Sequence, residues 1–241
     1  MRLVFIGGVG GSGTRVIANA FRHNGVFIGS HLNHSLDNLD WPGNIALMLD
    51  PDLSFEEKAA QLCEPFTRFI EQMTQQAQAA EVNQDLLAIK VPGSFHYLPY
   101  LCTLFDHVSY VHVVRHGLDM AFSSNKNQLR NWGSLYGLNA DGSSMEAMQL
   151  KYWLAANRSA AHLERLPGLE TFVQVQFERF CQQPKDETQR IFSALNMELN
   201  IGDVFFSNIS APESTGRYRQ HDLTVFDPQD IAALEELGYA L

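Results

Sequence analysis

Eight residues near the start of the chain, Gly7-Gly8-Val9-Gly10-Gly11-Ser12-Gly13-Thr14, contain five glycines. The apolar run Leu3-Val4-Phe5-Ile6 precedes them and reads as a strand. Arg15-Val16-Ile17-Ala18-Asn19-Ala20-Phe21 follows, with its apolar residues at helical spacing. A strand, a glycine turn and a helix in this order point backbone N–H groups at an anion held at the helix N-terminus. Glycine suits such a turn because a Cβ would keep the backbone away from the oxyanion. Gly10, Gly11, Ser12, Gly13, Thr14 and Arg15 are therefore candidate anion-binding residues. A loop that cradles the γ-phosphate of a nucleoside triphosphate reads G-x-x-x-x-G-K-[ST]. Gly8 and Gly13 keep the glycine spacing, but Thr14 follows Gly13 directly and the lysine is missing. The loop thus predicts a phosphate-like group and argues against an ATP γ-phosphate.

With 241 residues, 45% hydrophobic and 18% charged, the chain is expected to fold as one domain over 1–241 with a substantial core. A net charge of −10 disfavours general binding to nucleic acid or to anionic membranes. Any polyanionic ligand must be met by a local cluster of the 17 Lys and Arg residues. Cys63, Cys102 and Cys181 are widely spaced with no C-x-x-C pair, which predicts buried, reduced thiols. No run approaches the roughly 18–20 apolar residues of a membrane span. The chain opens directly on its first strand, so no leader is expected and the predicted setting is cytoplasmic.

Further strands are expected at Val26-Phe27-Ile28, Leu86-Leu87-Ala88-Ile89, Val108–Val114 and Thr171–Val175. A long helix is expected from Ser54 to about Ala80, with Ser54 and Glu57 spaced as a capping box. Other helices are expected over Ser94–Phe105, after Gly117, over Met145–Leu166 and through 177–196. The polar stretches Gly29–Pro42 and Asn131–Ser144 read as loops, the second as a surface insertion. Alternating strands and helices predict a three-layer α/β fold, a central, mostly parallel sheet flanked by helices. Ligands in such folds lie beyond the carboxyl ends of the strands. The glycine loop, Lys90 and Arg115 all fall at predicted strand ends.

Arg115 leaves the strand Val108–Val114, and Ser123 lies eight residues on. Asp119 and Ser123, at i and i+4, are expected to share a helix face. Arg115 offers a planar cationic fork to a phosphate, and the Ser123 hydroxyl a further bond. On the plainer reading, Arg115 pairs with Asp119 and Ser123 is solvated. Ser214-Thr215-Gly216-Arg217-Tyr218-Arg219 offers a second anion clamp, or else a solvated basic loop. Together the three segments describe a ligand with two separate anionic ends.

These segments resemble the sulfotransferases that use 3'-phosphoadenylyl sulfate (PAPS), whose fold is P-loop-like. That family opens with a strand, a 5'-phosphosulfate loop ending in S-G-T, and a helix, as in Ser12-Gly13-Thr14. Its second signature, R-x-x-x-D-x-A-x-S, matches Arg115, Asp119, Ala121 and Ser123. The resemblance implies that Arg115 and Ser123 bind the 3'-phosphate. The family's Y-E-x-L element corresponds to Phe177-Glu178-Arg179-Phe180, so Phe177 falls at a nucleotide-binding position without the tyrosine hydroxyl. A late Gly-Arg/Lys-Trp/Tyr-Arg/Lys segment is similar to Gly216-Arg217-Tyr218-Arg219, which places Gly216, Arg217 and Arg219 at the nucleotide. Relatives carry Lys or Arg just before S-G-T, where this chain has Gly11. Lys90 is the expected substitute cation, since relatives bring a strand-end lysine to the sulfonate.

The resemblance further implies PAPS as co-substrate, 3',5'-ADP as product, no metal, and a small-molecule or glycan acceptor with a hydroxyl or amine. Nucleic-acid partners are not expected. Asp37 and His34 are the candidate bases, singly or as a hydrogen-bonded pair. His96 is displaced from the histidine position of relatives, which is Pro92 here. Two alternatives stand beside the enzyme: a non-catalytic nucleotide-binding protein of the same fold, and a P-loop kinase. The kinase needs the missing loop lysine and an acidic strand end for Mg²⁺, whereas these strands run into Lys90 and Arg115.

Overall fold

The computed structural model describes residues 1–138 and 142–240. Four parallel strands form its sheet: β1 (Arg2–Gly8), β2 (Leu86–Lys90), β3 (Val108–Val114) and β4 (Leu169–Gln176), in the order β2-β1-β3-β4. The chain steps outward from β1 to β2, then crosses to the other side of β1 for β3 and β4. That reversal puts the topological switch point between β1 and β3. Because every strand runs the same way, Gly8, Lys90, Val114 and Gln176 end at one edge.

Both faces of the sheet are covered, and side chains alternate between them. Leu3, Phe5, Leu87, Ile89 and Tyr110 point into one core; Val4, Ile6, Ala88, Val111 and Val175 point into the other. The helices α1 (Thr14–His23), α2 (Ile45–Leu49), α3 (Phe55–Ala79), α4 (Leu98–Leu104), α5 (Gly117–Ala121), α6 (Asn127–Trp132) and α7 (Met145–Ala161) follow in chain order. After β4 come α8 (Phe177–Gln182), α9 (Pro184–Ala194), α10 (Asp203–Ser207) and α11 (Pro228–Ala232). Ile17 and Phe21 of α1, Phe180 of α8 and Phe192 of α9 fill one core. Phe66, Phe69, Ile70 and Met73 of α3 and Leu150 and Trp153 of α7 fill the other. The α3 residues recur at three- and four-residue steps, the stripe an amphipathic helix buries. Its start carries the reciprocal Ser54–Glu57 capping box expected from the spacing.

Several local expectations change. Val26–Ile28 makes one bridge, Phe27 to Leu87, with Ala88 N–H donating to Phe27 O at 3.0 Å, and is no strand. Gly29, at φ 114°, turns the chain away before a ladder can extend. Ser94–Phe105 splits into a 3₁₀ turn, Pro92–His96, and α4. Met145–Leu166 likewise ends in a 3₁₀ turn, His162–Arg165. The stretch expected as a surface insertion starts inside α6 and buries Trp132 against the core; residues 139–141 of it lie outside the described residues. Of the three cysteines only Cys181 is buried, since Cys63 sits on the solvent side of α3. No helix among the described residues is long and apolar enough to cross a membrane.

Candidate functional site

The glycine loop leaves β1 at the centre of the sheet edge, beside the switch point. Gly13 caps α1 at φ 97°, a left-handed conformation, with no side-chain cap and no acidic residue in the first turn. A Cβ on Gly13 would collide with the Phe177 ring, so glycine is needed there for space as well as conformation. Gly11 stands at φ 99°. A lysine at that position would sit in strained backbone, so its absence here is built into the shape of the loop. Ser12 N–H donates to Val9 O at 3.0 Å, while the amides of Gly10, Gly11 and Gly13 donate to no backbone carbonyl among the described residues. The Ser12 hydroxyl is fully buried and has no partner among the described residues. Free amides, a helix N-terminus and an orphaned hydroxyl together form a cradle for an anion.

On one side of this cradle lies Arg115, buried at the end of β3. Its Nη2 donates to Ser214 Oγ at 2.9 Å, and its Nε has no partner among the described residues. Its guanidinium lies 5.0 Å from the Phe177 ring centroid, so Phe177 separates Arg115 from Gly13. Burial holds the Arg115 pKa below its usual value; the negative charges of Asp119 and Glu178 oppose that shift, and the positive charge of Arg217 adds to it. Asp119 does not cap Arg115 with a hydrogen bond. Its carboxylate accepts from Gly216 N–H (2.7 Å) and Tyr218 N–H (3.3 Å) and so ties the Gly216-Arg217-Tyr218-Arg219 loop to α5. Ser123 lies beyond the end of α5, not on its face, and its Oγ accepts from Asn125 N–H at 3.2 Å. A cleft of about 1030 Å³ opens here, lined by Gly13, Arg15, Arg115, Phe177 and Ser214 and by an apolar wall of Ile201, Phe205 and Ile209. That volume is ample for a nucleotide-sized ligand.

On the other side lies Lys90, 3% exposed, at the end of β2. Its Nζ donates to Ser35 O at 3.1 Å and forms an ion pair with Asp37. The loop carrying Asp37 is pinned to the same strand end, with Asn38 N–H donating to Lys90 O at 3.0 Å. Within it, Asn33 Oδ1 accepts from Ser35 N–H (2.8 Å) and Asp37 N–H (2.9 Å), and Asn33 Nδ2 donates to Asp37 Oδ2 at 2.9 Å. Both Asp37 oxygens are thereby engaged, and of the two alternatives, His34 and Asp37 acting singly or as a pair, the hydrogen-bonded pair is not made. His34 is exposed and lines the cleft on the Arg115 side. Burial lowers the Lys90 pKa; Asp37 opposes that shift, and Arg15 adds to it. Arg15 is therefore close enough to Lys90 for their charges to be felt, while its side chain stays exposed in the cleft.

The sulfotransferase family model matches residues 4–200. This chain belongs to the sulfotransferase family. Among solved structures, this sulfotransferase-family chain resembles the sulfotransferase domain of the Synechococcus PCC 7002 olefin synthase at 19% identity, covering 100% of this chain and 95% of that one, with a TM-score of 0.55. It also resembles a sulfotransferase from Alicyclobacillus acidocaldarius at 14% identity, covering 100% and 97%, with a TM-score of 0.56. The sulfotransferase domain from the curacin biosynthetic pathway is similar at 13% identity, covering 100% and 98%, with a TM-score of 0.54. These likenesses show the fold, the P-loop-like parallel sheet described above. No curated protein matches the sequence.

The geometry gathers Gly13, Arg15, Arg115, Phe177 and His34 around one cleft, and Lys90 with Asp37 beside it. Gly216 and Arg219 do not line the cleft; Arg217 acts on Arg115 through its charge. Ser214, named in the sequence as part of an anion clamp, is a direct partner of Arg115, a pairing the sequence did not indicate, nor did it indicate the roles of Asp119 and Glu178 as acceptors for backbone amides. Their neighbours in the motifs were the available signal. Gln128 was also missed; a Cβ on Gly10 would come within 3.0 Å of its Cγ, so α6 covers the outer side of the loop.

Proposed function

We propose that this protein moves a sulfuryl group from PAPS to a hydroxyl or amine of a small-molecule or glycan acceptor, releasing 3',5'-ADP. One observation carries the reading. Among the buried polar atoms that lack a partner within the described residues are Ser12 Oγ in the glycine loop and Arg115 Nε across Phe177, placed as a ligand with two anionic ends would require. The residues present therefore fit the donor nucleotide. In this reading Gly10, Gly11, Ser12, Gly13 and Thr14 hold the 5'-phosphosulfate. Arg115, Ser123 and the Gly216-Arg217-Tyr218-Arg219 loop hold the 3'-phosphate.

The bound donor supplies an activated sulfuryl group: the bond from sulfur to the acceptor forms as its bond to the phosphate oxygen breaks. The chain's own part is positioning and charge stabilisation, as in phosphoryl transfer. Lys90 neutralises charge on the departing oxygen, with Arg15 as the exposed cation that a lysine at Gly11 cannot be. Asp37 takes the acceptor proton once its ion pair with Lys90 opens; His34 is the second candidate. Three unpaired cysteines accord with a cytoplasmic setting, and the domain runs over 1–241.

A thermal-shift comparison tests the donor. At one hundred times Kd, 3',5'-ADP should stabilise the fold by about 2.7 kcal/mol while ATP at equal concentration does much less. Preference for ATP would sink the reading. A sulfated product from PAPS and a panel of hydroxyl and amine acceptors then tests catalysis. The mutual engagement of Lys90 and Asp37 favours a second reading, a nucleotide-binding protein that does not catalyse. Tight 3',5'-ADP binding with no product from any acceptor would select it.

A further inference from the structure

Arg115 is held from behind by Glu178 and by Tyr239, the second of which lies beyond the stretch matched by the family model, residues 4–200. The Tyr239 hydroxyl is buried under the end of β3. Its one proton is shared between Val114 O at 3.0 Å and Glu178 Oε2 at 3.1 Å. Val114 immediately precedes Arg115. The other Glu178 oxygen accepts from His116 N–H at 2.9 Å, immediately after Arg115. One carboxylate and one phenol thus fix the peptide groups on both sides of the arginine.

The His116 ring ties this latch to the opposite loop. Its Nδ1 accepts from Leu118 N–H at 3.2 Å, so Nε2 carries the proton and donates to Ala240 O at 3.1 Å. The ring stacks on Tyr218, with centroids 4.6 Å apart and planes 16° off parallel, and meets Tyr239 edge-on at 5.2 Å. Tyr218 belongs to the loop whose amides are bound by Asp119. Segment 234–240, the turn after β3 and the Arg217 loop therefore share one set of contacts, drawn from regions about 60–125 residues apart in sequence.

We propose that Tyr239 and His116 are positioning residues for the donor site: they aim Arg115 at the 3'-phosphate and set the Arg217 loop beside it, so segment 234–240 tunes nucleotide selection without touching the nucleotide. This rests on the donor assignment above. The physical reason is that a guanidinium fork binds a phosphate well only in a narrow range of orientations. Burial keeps the Tyr239 hydroxyl protonated, with its pKa raised further by Glu178. It thus remains a donor throughout the working range of pH.

The test is calorimetric titration of the full chain and of Tyr239→Phe with 3',5'-ADP and, separately, with 5'-AMP. The second nucleotide lacks the 3'-phosphate and so does not feel the aim of Arg115. Removing the hydroxyl should weaken 3',5'-ADP about five- to tenfold and 5'-AMP less than about twofold. In turnover, KM for the donor should rise while kcat holds. His116→Asn, which can still cap Leu118 N–H but cannot reach Ala240 O, should show the same selective loss. A purely structural latch would lower the melting temperature and weaken both nucleotides alike, and that result, or no change in either, overturns the proposal. A wild-type protein that binds the two nucleotides equally would fail at the donor assignment itself, before either variant is compared.

Discussion

Arg115 and Lys90 leave the strands on either side of β1, and both are buried cations beside one glycine loop, yet their partners differ. Arg115 has a neutral hydroxyl, an aromatic face and an unsatisfied Nε. Its nearby carboxylates, Asp119 and Glu178, spend their oxygens on backbone amides and the Tyr239 hydroxyl. Lys90 has two partners, a carbonyl and the Asp37 carboxylate. Asp119 and Glu178 act on Arg115 through their charge, but among the described residues neither hydrogen-bonds to its guanidinium, and a buried donor left unpaired is costly unless an acceptor arrives. On the proposed reading the Arg115 side has a donor open to an anion as it stands. The Lys90 side is closed on itself and must exchange a partner before it can act on a ligand. Affinity should reside on the first side and turnover on the second.

The largest expected effect breaks or confirms that division directly. Lys90→Ala should lower kcat by about 10²–10³-fold with donor affinity nearly unchanged. Equal losses in kcat and affinity would remove the transition-state role. The alkaline limb of kcat should also fall below the ordinary lysine value of 10.5, because burial lowers the Lys90 pKa and only the protonated form can serve. Next, Arg115→Ala should raise the Kd for 3',5'-ADP by about 10–100-fold, the worth of a charge-assisted hydrogen bond set, and calorimetry checks it. An unchanged Kd would mean that the 3'-phosphate lies elsewhere.

A third experiment probes the burial of the Lys90 side. His96, at the end of the 3₁₀ turn after β2, stacks on Trp132 at 4.0 Å and leaves Nε2 buried without a partner. Burial pushes its pKa down to about 3, and that of His112 to about 4. Below pH 6.5 the unfolded chain gains protons that the folded one refuses. Stability should therefore fall as pH drops from about 6.5 toward 4, by up to about 1.4 kcal/mol per pH unit for each such histidine. In His96→Phe the decline should be visibly shallower in denaturant titrations at stepped pH. Parallel curves for the two proteins would show a hydrated, normally titrating His96. The smallest effect is expected from Phe177→Leu. It removes the ring under Arg115 but keeps the bulk against Gly13, and should weaken 3',5'-ADP by about two- to fivefold. A much larger loss would mean that the ring contacts the nucleotide itself.

Much of this was legible without coordinates. The residues of β3 run from Val108 to Val114 as the β-branched and aromatic run indicates. The α3 cap was readable from Ser54 and Glu57, because capping is settled within four residues. The loop, Lys90 and Arg115 do converge on one edge, since a parallel sheet leaves its carboxyl ends together. Val26–Ile28 was misread as a strand because an apolar run does not say whether a neighbour continues beside it. The reading of Asp119 as a partner for Arg115 relied on proximity in sequence. Its oxygens instead hold amides 97 and 99 residues away. Nothing local announced Ser214 or Tyr239 as supports of Arg115.

Sequence by itself determined the four strands of the sheet, the glycine turn at β1, and which cations would stand at strand ends, since these follow from backbone sterics and short-range side-chain patterns. Only the tertiary structure decided the pairing: Lys90 with Asp37, Arg115 with Ser214 and Phe177, and Gly11 in a conformation that suits no lysine. Those choices depend on the strand order, which puts β2 on one side of β1 and β3 with β4 on the other. Two cations nearly alike in sequence context thereby acquired opposite surroundings, one closed by a carboxylate and one left open to a cleft.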